Sequence, residues 1–181
     1  MICASLATAQ NQCIVSEDQL EVCFHPKSSE SSAAIRSCEP LRRNGNYYYW
    51  ELKVFDKAYG TSVMFGVCTK QQLVHATDYC NLVGLDRTGW SLSHKGLVWH
   101  NGNSTQYMNP FPRDQSVILG ILFNTMRGEI SYFMDGKCLG VAFTDLNDFD
   151  DELYAVIGST AKCTRIRLLG AFCGYNSLKE R

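Results

Sequence analysis

The chain has 181 residues, 17 Lys and Arg against 18 Asp and Glu, and a 12% aromatic share. That length fits one domain, and a chain of this size buries roughly 70% of its unfolded surface, so its core needs neither disulfide nor metal. Balanced charge gives no electrostatic basis for binding nucleic acid or an anionic membrane. No apolar run approaches the roughly 20 residues of a membrane-spanning helix.

The N-terminal stretch ends in Ala7-Thr-Ala9, which has the look of a signal-peptidase site, but it lacks a basic start and a continuous apolar segment. Strand candidates then follow at short spacing: 19–24, 47–55, 62–68, 90–93, 96–100, 116–123, 153–157 and 164–169. Turn signals separate them, among them Asn44-Gly45, Asn101-Gly102 and Arg127-Gly128. The clearest pair is Glu129–Phe143, two apolar arms around Asp135-Gly136, a dipeptide suited to the positive φ values of a type I′ hairpin turn. Helix signal is poor. Lys70–Ala76 suits a turn or two, and Asn176–Arg181 suits a helix start behind a polar cap. Many short strands divided by turns predict an all-β, antiparallel two-sheet sandwich with little helix. Residues 19–173 form that domain, 1–18 an N-terminal extension and 174–181 the start of a further element.

Nine cysteines occur without a C-x-x-C pair, so no zinc or other metal site is expected. Reduced, mostly buried thiols of a cytoplasmic or nuclear protein are the expectation. His94 and His100 flank a turn and read as exposed loop residues. The acidic run Asp145–Glu152 lacks the order and the central Gly of a calcium loop and reads as solvated. Ser159-Thr-Ala-Lys162 matches an S-x-x-K pattern, yet it joins two strands rather than opening a helix, and its partner motifs are missing. A hydrolase acting through Ser159 is the least implausible enzyme; no catalytic residue and no cofactor is assigned.

Several segments taken in order are similar to the SPRY (B30.2-type) family, a concanavalin-like jelly roll. They are Tyr49–Val54, Val63–Thr69, Leu82–Leu92, Gly120–Phe123, Ile130–Phe143 and Leu153–Val156. Ala34–Arg36, Tyr59–Thr61, Cys80–Gly84 and Trp90–Ser93 resemble the branch that carries a SOCS box, and Ser159–Ala161 resembles its third type. That resemblance implies a substrate receptor of a cullin–RING ubiquitin ligase. Its SPRY loops would take a short Asn-containing peptide of a client protein, and a following SOCS box would dock on elongin B and C and a cullin. Pro26, Thr61 and Tyr79 match the family pocket's Pro, Thr and Tyr. The pocket's Arg falls at Phe24, and its Val-Trp-Gly stretch falls at Thr160, Ala161 and Lys162. Without the Trp the pocket is wider, with a cation at its rim, which implies flanks different from the better-known acidic motif. Ser177 and Leu178 resemble the start of an elongin-binding box. A monomeric domain is expected, and the alternative is a SPRY interaction module with no ligase role.

Overall fold

The computed structural model describes residues 12–55 and 60–175. Two seven-stranded antiparallel sheets face each other, as the strand pattern predicts. In chain order the strands are β1 Cys13–Val15, β2 Glu21–Phe24, β3 Ser32–Arg36, β4 Asn46–Val54, β5 Val63–Thr69, β6 His75–Ala76 and β7 Gly89–Ser93. There follow β8 Leu97–His100, β9 Asn103–Gln106, β10 Val117–Asn124, β11 Glu129–Met134, β12 Lys137–Phe143, β13 Leu153–Ser159 and β14 Thr164–Tyr175. One sheet runs β1-β2-β14-β4-β10-β11-β12, the other β6-β3-β13-β5-β7-β8-β9. A 3-10 turn at Leu146–Asp148 is the helical element of the described residues.

Alternation builds the core. In β4, Trp50, Leu52 and Val54 turn inward, and in β10 so do Val117, Leu119, Ile121 and Phe123. Each buried side chain of this size stabilises by about 1.5–3 kcal/mol. Strand β5 is buried along its whole length, because its outer face is covered as well: Met64 and Cys68 pack with Leu82 and Val83 of the β6–β7 connection in a second apolar cluster. The hairpin forms as its sequence predicts, with Asp135 at φ 49° and Gly136 at φ 81°. From its first arm Tyr132 crosses the core and donates its hydroxyl to Phe65 O of the opposite sheet at 2.9 Å.

Several expectations are corrected. Lys70–Ala76 is not helical. The Lys70 carbonyl accepts from Arg36 Nη1, and the buried Gln72 amide donates to Leu73 O and Leu82 O, so side chains take the bonds that a helix would use. Strand β1 lies within the segment assigned to an N-terminal extension and pairs with β2. The thiols are not mostly buried: Cys68 is, but Cys138, Cys163 and Cys173 are exposed. Burial pushes the Cys68 thiol up to about 12, which leaves it an inert apolar filler. His94 is buried, and the His100 ring stacks on Trp90 at 4.4 Å.

Candidate functional site

Register places four connections at one end of the sandwich. Ser159, the last residue of β13, pairs with Ala33 at the start of β3 and with Val63 at the start of β5. Thr164, the first residue of β14, pairs with Phe24 at the end of β2. The β2–β3, β4–β5 and β13–β14 connections therefore meet there, and Ser32 draws in the β6–β7 connection by donating to Asp78 O at 2.6 Å and accepting from Cys80 N at 2.9 Å.

Hydrogen bonds tie these loops into one rim. The Tyr79 hydroxyl donates to Ser29 O, and the Ser29 hydroxyl donates to Thr160 O. Thr160 N donates to Ser62 O at 2.9 Å, and Thr160 Oγ1 accepts from Ser62 N at 2.9 Å. Cys163 N donates to His25 O at 3.2 Å, and Cys163 Sγ lies 3.6 Å from Pro26 O. Gly60, at φ 94°, lies so close to Ala161 that an added Cβ would meet the Ala161 Cβ at 2.9 Å.

The expected site residues are thus gathered at one end, but they play unequal parts. Thr61 and Lys162 are exposed, and Tyr79 keeps 51% of its surface open. Thr160 and Ala161 are each 3% exposed, so they shape the rim from beneath. Phe24 is a correction: it is fully buried and cannot touch a ligand. The period of two puts it on the same face of β2 as Val22, inside the core. Ser177 and Leu178 lie outside the described residues.

Sequence reasoning missed His25. It is fully buried, with φ 49° directly before Pro26, a position where proline disfavours helical backbone. Its Nε2–H donates to Ser159 O at 2.8 Å, Nδ1 lies 2.6 Å from the Gln12 side-chain amide, and its backbone N donates to Gln12 O. One ring thereby fastens β13 and the segment before β1 to the rim. The clue in the sequence was a ring with two polar atoms flanked by Phe24 and a Pro, which a buried site must satisfy. Beside the rim, His94 Nδ1 accepts from Val63 N at 3.1 Å. Burial, with Lys95 and Arg113 adding to it, pulls the His94 pKa down to about 4.

Chemically the rim offers contacts. Lys162 and the exposed Lys27 stand beside the Pro26–Cys163 junction, and neither makes an ion pair among the described residues. Ser159 Oγ donates to Thr164 Oγ1 at 2.9 Å and accepts from Ala161 N at 3.0 Å, while His25 binds the Ser159 carbonyl rather than its hydroxyl. No Ser–His pair of the kind that activates a nucleophile is formed here. Among the described residues no group of three or more His, Cys, Asp and Glu could hold a metal ion.

A family model described as the SPRY domain matches residues 47–171. The chain belongs to the SPRY family. Over 168 residues it is 30% identical to SPRY domain-containing SOCS box protein 3 of Xenopus tropicalis, an alignment covering 92% of this chain and 45% of that protein. It is 27% identical over 167 residues to SPRY domain-containing SOCS box protein 1 of Homo sapiens, covering 87% and 59%. The chain thus spans about half the length of these curated relatives. Among solved structures, the TRIM65 PSpry domain matches with a TM-score of 0.67 at 17% identity, covering 88% of this chain and 86% of that one. The SPRY domain of human HERC1 matches with a TM-score of 0.67 at 15% identity, covering 93% and 94%. These likenesses establish the SPRY fold, and the rim is the loop end of that SPRY sandwich.

Proposed function

We propose that this chain is the substrate-recognition part of a cullin–RING ubiquitin ligase, and that its rim binds a short Asn-containing segment of a client protein. The carrying observation is the rim itself: loops from four connections, pinned to one another by hydroxyl and backbone hydrogen bonds, leave Thr61, Tyr79 and Lys162 facing out. Loops held by a rigid scaffold are where binding residues concentrate, and pre-ordered loops pay less entropy on binding. The kinship with SOCS box proteins supplies the ligase context. Elongin B and C and a cullin would dock on a SOCS box, and ubiquitin transfer would belong to the associated ligase, with the chain itself non-catalytic. With Ala161 buried where the family carries a Trp, the peptide has no aromatic wall there and packs along Tyr79 instead. Lys162 and Lys27 put cations beside the peptide's flanks, which therefore differ from those of the better-known motif, and disfavour a basic flank.

This role places the chain in the cytoplasm or nucleus. Free thiols at seven described cysteines suit a reducing compartment; cell fractionation decides it. The binding test is a peptide array of Asn-containing sequences followed by calorimetry. Tyr79→Ala is expected to weaken binding at least tenfold, the range of a hot-spot residue, and equal binding by both proteins refutes the pocket. Elongin B/C capture by the protein as it is expressed in cells separates the ligase role from a plain interaction module.

A further inference from the structure

The inner face of β13 reads Leu153, Ala155, Ile157, and the small middle residue leaves a space that its neighbours do not fill. A cavity of about 100 Å³ lies there between the sheets, walled by Ile35, Leu52, Trp50 and Leu168 as well as Ile157. It runs from the end of β3 to the middle of β4 and β13, and its mouth is at the end of these strands opposite the rim. The part-exposed Ser37, Leu41 and Tyr48 form its mouth.

The polar atoms at that mouth are already used. Ser37 Oγ donates to Glu39 O at 2.9 Å and accepts from Ala155 N at 3.2 Å. The Tyr48 hydroxyl donates to Arg42 O at 3.2 Å, and Arg36 turns its guanidinium away to Lys70 O and the Tyr154 ring. A buried water needs two to four polar partners, whereas an engineered apolar cavity of roughly 150 Å³ stays dry and takes up benzene or xenon. We propose that this inter-sheet cavity is a binding site, separate from the rim, for a small uncharged apolar molecule of xenon to benzene size. Ala155 sets its volume, and the wall side chains supply dispersion contacts that an empty cavity forfeits.

Methyl NMR spectra of the protein under xenon pressure and during a benzene titration test this. Saturable shifts are expected at the Ile35, Leu52, Ile157 and Leu168 methyls, with residues at the rim unmoved. Ala155→Leu places a larger side chain in the space and is expected to weaken benzene binding at least about tenfold. Leu168→Ala widens the cavity and is expected to strengthen it by a similar factor, which keeps the question open should the first variant fail to fold. Absence of saturable shifts in the wild type overturns the proposal. So does benzene affinity that neither variant alters.

Discussion

His94 ties its own protonation to the stability of the fold. Its Nδ1 must stay unprotonated to accept from Val63 N, and burial holds its pKa near 4 against an ordinary 6.5. Below pH 6.5 the unfolded chain takes up a proton that the folded one refuses until about pH 4, so stability is full above that window and falls as pH drops through it. With allowance for partial solvent screening the loss is on the order of 2 kcal/mol. Urea unfolding at pH 7.5 and pH 4.5 should show it, and His94→Asn, which keeps an acceptor without the titration, should flatten the difference. Asp18, whose carboxyl is held near 2 chiefly by bonds from Ser16 and Arg167, titrates below this window. A wild type equally stable at both pH values would refute the account. Neither His94 nor His25 was legible as a buried group, because sequence shows a polar ring beside a turn and not the backbone partners that a fold brings to it. Phe24 failed in the other direction: a family pocket position was carried over against the strand's own alternation, which already put that ring inside.

At the scale of elements, the strands that alternate or carry aromatic runs were readable, and their observed bounds lie within a few residues of expectation, apart from the longer β14. Strands β1, β3, β6 and β9 were not. Ser32–Arg36 has only three apolar residues, two of them Ala, between its terminal Ser and Arg, and Asn103–Gln106 is wholly polar. The second exists because Asn101 and Gly102, both at positive φ, turn β8 back on itself at a sheet edge, where apolar residues are not required. Strand β5 teaches the reverse. Its Gly66 pairs with Ser91 of β7, and a Cβ there would lie 1.9 Å from Trp90 O. That obstacle is backbone in a paired strand and cannot swing aside. Gly66→Ala should therefore cost more than about 4 kcal/mol, the range of severe core changes. Gly170→Ala, with nothing within 4 Å of its added Cβ, should shift stability by under about 1 kcal/mol. Thermal melts of the two variants compare them directly, and similar melting temperatures would refute the close β5–β7 approach at Gly66.

For the whole molecule, closure depends on the early strand β2 meeting the late strand β14. The family match spans residues 47–171, yet β2 and β3, both before residue 47, are integral to the two sheets. In the first sheet β14 lies between β2 and β4, pairing Arg167 with Glu21 on one side and Leu168 with Leu52 on the other. Ion pairs of Arg165 and Arg167 with Glu21, and of Arg167 with Asp18, reinforce that seam, although exposed pairs contribute roughly 1 kcal/mol at most. Pairings of such sequence separation charge their loop-closure entropy before any contact repays it, which puts refolding in the millisecond-to-second range typical of all-β domains. Removal of residues 164–175 should do more than fray an edge. It would strip β2 and β4 of their shared partner and uncover the inner faces of Trp50 and Leu52, while β1 and β2 would be left as a lone hairpin, marginal in water. That truncated chain is expected to show no cooperative unfolding transition and to exchange its β10–β11 amides as freely as the rest. A soluble truncation product with a sigmoidal urea curve would show instead that β4, β10, β11 and β12 with the second sheet form a self-sufficient unit, and that β14 serves mainly to carry the rim's Thr160–Cys163 turn.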